Sequence, residues 1–217
     1  MNEIYIWHHL GMGDHIACNG LVRKYCEEYD KVHLFVKKHN LSNVKRMLRD
    51  LKNIEFISGV GDQDQFVHQF LDINKTITLK KITNNDKQPF DREMYKSANV
   101  LFSDKWNRFF FERDLNREKE VYTNILGLEE DEEYAFVQTG KGELHLKHGL
   151  KEINPGDHMD IGMFDWGLVI ERAKEVHCAN SSFIHLIDLA YHIKKGFYHS
   201  YLRPDSDPVI LAKWKIL

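Results

Sequence analysis

The chain is poor in cysteine, without charge of one dominant sign, and lacks any long apolar run. Three cysteines in 217 residues, Cys18, Cys26 and Cys178, are an odd number without C-x-x-C spacing. That pattern speaks against a disulfide framework or a zinc cluster and fits a reducing compartment, where all three are expected to be buried thiols. No apolar stretch approaches the roughly 20 residues that span a bilayer, and Met1-Asn2-Glu3 has no basic region of a secretory leader. A cytoplasmic protein without a transmembrane segment is expected; contact with a membrane, if any, is peripheral. The 30 basic residues stand against 33 acidic ones, a net charge of −3. Nucleic acid is therefore not an expected partner, and a polyanion has to be held by a local site, which suits a small phosphorylated ligand.

Several catalytic signatures are missing as well. The 13 histidines, among them His8-His9, His145 with His148 and His185 with His192, form no H-E-x-x-H motif, and no clustered carboxylates supply a divalent site. No metal ligand is assigned. No Walker lysine follows Gly11-Met12-Gly13, and there is no G-x-S-x-G elbow. A dinucleotide fingerprint is incomplete too, because a third glycine is absent and Lys37-Lys38 stands where the ribose-binding acid would follow the second strand.

What is present is an alternation of strand-like and helical segments. Apolar runs at residues 4–10, Val32–Val36, Ile54–Ile57 and Thr76–Leu79 are separated by helical stretches, the pattern of a parallel sheet covered by helices. Asn40-Leu41-Ser42-Asn43 opens the second helix, whose stripe of Val44, Met47, Leu48 and Leu51 is read as core. Residues 83–92 are polar and carry Pro89, which marks a boundary. The following segment is mostly helical; its Trp106, Phe109, Phe110 and Phe111 are read as packed, and its charged Glu112–Glu120 stretch as a solvated face. A second unit begins at the strand Tyr134–Val137, continues through a helix at Phe164–Lys174 and the strand Glu175–Ala179, and ends with the strand-like Gly196–His199 and a tail. The expected fold is α/β, with two small Rossmann-like parallel-sheet lobes and an active-site cleft between them: residues 1–88, a helical connection at 89–130, and residues 131–217.

Ligands of open α/β sheets bind beyond the carboxyl ends of the strands. Three strand-to-helix turns are therefore singled out: Gly11 to His15, Gln138 to Gly142 and Asn180 to His185. Glycine there admits positive φ and close backbone approach, and helix-start N–H groups can hold an anion. Asp14 falls at an N-cap position; it is either a plain cap or a general base beside a bound hydroxyl. Ser181 and Ser182 are caps or diphosphate contacts. His185 is a core histidine or a ligand contact, Lys141 a surface lysine or a phosphate counter-charge, and Arg203 a weaker candidate of the same kind.

The run Leu10-Gly11-Met12-Gly13-Asp14-His15-Ile16 at the end of a first strand resembles the strand-to-helix motif of the lipopolysaccharide heptosyltransferases and related GT-B glycosyltransferases. The later Asn180-Ser181-Ser182-Phe183-Ile184-His185-Leu186 and the strand and loop at Tyr134–Lys141 are similar to that family's donor-side segments. The resemblance implies a compact GT-B-like enzyme. Its donor would be a nucleotide-diphosphate sugar and its acceptor a glycan or glycolipid hydroxyl, with inversion and without a metal or other cofactor. It implies Asp14 as catalytic base, with Gly11, Gly13 and His15 around it in an acceptor-side first lobe. It implies Gly140, Lys141, Ser181, Ser182, His185 and Arg203 on the donor side of the second. The alternatives are a sugar-nucleotide epimerase or hydrolase on the same scaffold, or a module that binds a nucleotide or glycan without chemistry.

Overall fold

The computed structural model describes residues 2–59, 64–83, 89–140, 146, 149–202 and 207–217. The chain divides into two compact units, Met1–Glu112 and Arg113–Leu217. The stretch expected as a helical connection is shared between them, its residues 89–112 belonging to the first and 113–130 to the second. Each unit is built on an entirely parallel sheet.

In the first unit the order along the chain is β1 (Glu3–Trp7), α1 (Met12–Ala17), α2 (Asn19–Glu28), β2 (Lys31–Lys37), α3 (Leu41–Met47), β3 (Ile54–Gly59), α4 (Gln65–Ile73), β4 (Leu79–Lys81), α5 (Phe90–Ala98) and α6 (Asp104–Asn107). The sheet order is β3-β2-β1-β4. Five successive residues of β2, Val32 to Val36, are buried, as a strand covered by helices on both faces requires. On one face Trp7, Leu10, Phe35, Phe66 and Val67 form a core cluster. On the other lies α2, and there Gly20 is needed for space: a Cβ would sit 2.0 Å from the Asp104 carbonyl oxygen of α6. Tyr95 of α5 ties the same region, donating to the Ala17 carbonyl at 3.0 Å and accepting from Leu21 N–H at 3.2 Å.

Some details differ from the sequence reading. The last strand of this sheet is Leu79–Lys81 rather than Thr76–Leu79, because pairing of Tyr5, Ile6 and Trp7 with Leu79, Lys80 and Lys81 fixes its register. The first helix starts at Met12, ahead of the expected cap at Asp14, and is interrupted at Cys18. Cys18 and Cys178 are buried, whereas Cys26 is only half-buried. Phe111 is buried but Phe110 is half-exposed, with the Arg23 guanidinium 5.1 Å from its ring centre.

The second unit runs α7 (Leu115–Glu120), β5 (Tyr134–Gln138), β6 (Lys151–Ile153), α8 (Gly167–Arg172), β7 (Glu175–Ala179), α9 (Ser182–Ala190), β8 (Gly196–His199) and β9 (Trp214–Ile216). The sheet order is β6-β5-β7-β8-β9. The charged Glu112–Glu120 segment is not simply a solvated face: Glu118 is fully buried and receives two hydrogen bonds from Arg113, which also binds Glu171. β9 lies in what reads as a tail. Trp214 anchors it, its indole N–H 3.0 Å from Asp188 Oδ1, while Lys213 donates to the carbonyls of Ile187, Asp188 and Tyr191 at the end of α9.

Candidate functional site

Both sheets reverse their strand order at one place, and ligands of open α/β sheets bind at the carboxyl ends beside that reversal. In the first sheet, β1 has β2 on one side and β4 on the other. In the second, β5 stands between β6 and β7, and the remaining strands continue outward from β7. The turns after β1, β5 and β7 are therefore where binding groups gather.

After β1 the chain leaves the sheet through His8, His9 and Leu10. Asn40 steadies it by donating to the Leu10 carbonyl at 3.0 Å. Gly11, not Asp14, holds the N-cap position of α1. Its φ of −70° suits any residue, so positive φ is not what calls for glycine here. Space is: a Cβ on Gly11 would lie 2.5 Å from Asp14 Oδ2. Asp14 sits in the first turn of α1, where the helix dipole favours an acid, and its Oδ2 is 2.7 Å from His9 Nδ1. The Asp14 side chain is 16% exposed and that of His9 67%. The carboxylate is thus sheltered but reachable. Hydrogen bonding to Asp14 raises the His9 imidazole above its ordinary value.

His15 stands apart from this polar edge. It is buried against His8, ring centres 4.5 Å apart and nearly edge-on. Neither of its ring nitrogens, nor His8 Nε2, has a hydrogen-bond partner among the described residues. Burial lowers the affinity of both rings for a proton, His15 strongly. Gly13 lies half-buried within α1.

The two later turns meet. Ser181 caps α9, its Oγ accepting from Phe183 N–H at 3.2 Å. The same hydroxyl donates to Gln138 Oε1, at the end of β5, at 2.6 Å. Gly140 adopts φ +64°, a left-handed conformation that favours glycine. Ser182 opens α9 and is half-buried. His185, one turn further along, is buried at 3% exposure. Lys141 and Arg203 lie outside the described residues.

The structure therefore gathers Gly11, Gly13 and Asp14 in one turn and Gly140, Ser181 and Ser182 across another pair of strands, with His15 and His185 inside their units. It adds His9 and Gln138. His9 was signalled only by its place beside the Gly-x-Gly-Asp run. Among the described residues, no group of three or more His, Cys, Asp or Glu is placed to hold a metal ion. No helix among them is long and apolar enough to cross a membrane.

Two parallel-sheet units with polar turns at the strand reversals make a fold of the GT-B, heptosyltransferase-like type. The structure is similar to a glycosyl transferase family 9 protein from Veillonella parvula DSM 2008, with a TM-score of 0.55 and 11% identity, over 100% of this chain and 85% of that one. It is likewise similar to the ADP-heptose lipopolysaccharide heptosyltransferase II of E. coli, with a TM-score of 0.55 and 11% identity, over 100% and 90%. No protein-family model and no curated protein matches the sequence.

Proposed function

We propose that the protein is a glycosyltransferase that moves a sugar from a nucleotide-diphosphate donor to a hydroxyl of a glycan or glycolipid, with inversion and without a metal or other cofactor. The observation that carries the reading is Asp14: a carboxylate at the carboxyl end of β1, held through Oδ2 by His9, in a chain whose fold is shared with two glycosyltransferases. Bonding through Oδ2 leaves Oδ1 to take the proton of the acceptor hydroxyl. The hydroxyl oxygen then attacks the anomeric carbon from the face opposite the diphosphate. The bond from that carbon to the diphosphate oxygen breaks, and the nucleoside diphosphate leaves with the electron pair.

The charge that develops on the leaving group needs donors already in place. In this reading they come from the second unit: N–H groups at the start of α9, the Ser182 hydroxyl, the Ser181 hydroxyl once it turns from Gln138 Oε1 to the phosphate, and a loop at Gly140 that lets backbone approach a phosphate. Lys141, His185 and Arg203 complete the proposed donor side. The first unit handles the acceptor through the turn of Gly11, Gly13 and Asp14, with His15 packed behind it against His8.

The test is release of nucleoside diphosphate from a panel of nucleotide sugars, with a glycan acceptor and a chelator present. Asp14→Ala is expected to bind nucleoside diphosphate as the parent does and to lose transfer. Undiminished turnover in that variant refutes the assignment, and a sugar product formed without acceptor points to epimerisation or hydrolysis instead.

A further inference from the structure

A second set of polar groups runs through the interior of the carboxyl-terminal unit, and the reaction proposed above does not use it. Glu175 and His177 lie two apart on β7, so their side chains share one face of the sheet. His199 closes the neighbouring strand β8, and Tyr201 follows it. Lys195 Nζ is 2.7 Å from Glu175 Oε1, and Glu175 Oε2 is 3.2 Å from His177 Nε2. His177 Nδ1 is 3.1 Å from His199 Nε2, and His199 Nδ1 is 3.0 Å from the Tyr201 hydroxyl. His177 is 5% exposed and His199 3%, whereas Tyr201 is 53% exposed. The chain of bonds starts at an ion pair and ends at an open aromatic ring.

Its direction follows from elementary donor and acceptor chemistry. Lys195 and His177 together hold the Glu175 carboxyl below its ordinary value, so it is ionised and can only accept. His177 Nε2 must then carry a proton and donate. In the neutral ring, which is the form the relay requires, His177 Nδ1 accepts, and this in turn requires a proton on His199 Nε2. His199 Nδ1 in turn accepts, so the Tyr201 hydroxyl donates its proton inward. Burial and the neighbouring His177 push His199 down to about 4, which keeps it neutral near pH 7. One carboxylate thus sets two tautomers and one hydroxyl rotor, and the lone pairs of the Tyr201 oxygen are turned away from the interior.

Tyr201 stands just beyond the carboxyl end of β8. The register pairs His199 with Ala179, so the two residues after each strand, Tyr201 and Ser181, follow neighbouring strand ends. We propose that Tyr201 is a ligand-binding residue whose hydroxyl oxygen, oriented by the relay from Glu175, accepts a hydrogen bond from a ribose hydroxyl or base N–H of a nucleoside lying against its exposed ring. The inference rests on the donor-side reading of this unit given above. Glu175, His177 and His199 are positioning residues, since they act through Tyr201.

Nitrogen-15 NMR of the imidazoles near pH 7 reads the relay directly, and titration with ADP, GDP and UDP reads its use. Both histidines are expected to carry their proton on Nε2, and Tyr201→Phe, which keeps the ring, is expected to weaken the bound diphosphate about tenfold. Glu175→Gln ends the relay in an amide that can accept or donate; mixed tautomers and a smaller loss of affinity are expected. A proton on Nδ1 of either histidine in the parent overturns the relay. Unchanged affinity in Tyr201→Phe overturns the role of Tyr201 while leaving the donor reading intact. If none of the three diphosphates binds the parent protein, the donor reading falls and this inference falls with it.

Discussion

His9 Nδ1 and Asp14 Oδ2 stand 2.7 Å apart, five residues separated in sequence and on opposite sides of the Gly11 turn. The bond joins an exposed imidazole to a sheltered carboxylate. Each side of it has a measurable consequence.

The Asp14 carboxylate raises the proton affinity of His9 above the usual 6.5. Asp14→Asn removes the charge and is expected to bring the His9 titration, followed by NMR, back down toward that value. The sign for stability follows: the contribution of this pair is fully present below pH 6.5, fades as pH rises through the raised value, and is absent in the variant. A His9 titration that does not move in Asp14→Asn would show that the bond does not persist in solution.

Gly11→Ala places a methyl group 2.5 Å from Asp14 Oδ2. The atom it meets is the end of a side chain, so Asp14 can swing away and the fold can survive. The expected outcome is a melting temperature within a few degrees of the parent, with transfer reduced on the order of a hundredfold by misplacement of the carboxylate. A variant that melts normally and turns over normally would separate the carboxylate's position from activity.

Acid should destabilise the protein through histidines that are buried uncharged. His8, His15 and His199 all bind protons less readily folded than unfolded, His199 down to about 4. As pH falls below 6.5 the unfolded chain takes up protons that the folded one does not, so stability is lost progressively toward pH 4. Urea midpoints measured across this range should fall in the parent. They should fall less steeply in His15→Leu, which removes one of the three groups; identical slopes would exclude His15 as a contributor.

Lys105 and Asp91 form an ion pair at 2.6 Å with side chains 1% and 0% exposed. Lys105→Met leaves a carboxylate in the interior and is expected to cost about 3–5 kcal/mol, whereas Lys105→Met with Asp91→Leu should recover most of that loss. Denaturant unfolding of the two variants checks this. A double variant as unstable as the single one would locate the cost in packing against Phe102 and Trp106, whose rings lie 5.9 Å and 4.8 Å from the lysine nitrogen, rather than in charge.

Much of the architecture was legible because parallel strands covered on both faces are written as short, mainly apolar runs, even where a histidine or glutamate interrupts them. Val32 to Val36, Tyr134 to Val137 and Glu175 to Ala179 fall inside strands of the structure. The short edge strands β6 and β9 were not legible, since three residues carry too little pattern and their pairing depends on a neighbour far away in sequence. Trp214 and Ile216, alternating around Lys215, were the faint signal for β9.

The same division holds for the candidate sites. Local chemistry places Gly11, Asp14, Ser181 and Ser182 at strand-to-helix turns, because glycine and short polar side chains concentrate where backbone leaves a sheet. Only tertiary structure decided that Gly11 is an N-cap kept small by the Asp14 carboxylate, that Ser181 bonds Gln138 across 43 residues, and that His15 lies buried against His8. It also lined up Glu175, His177, His199 and Tyr201. Sequence spacing fixes which face of its own strand a side chain occupies. Which groups it then meets depends on strand order and register, set by the packing of the whole sheet.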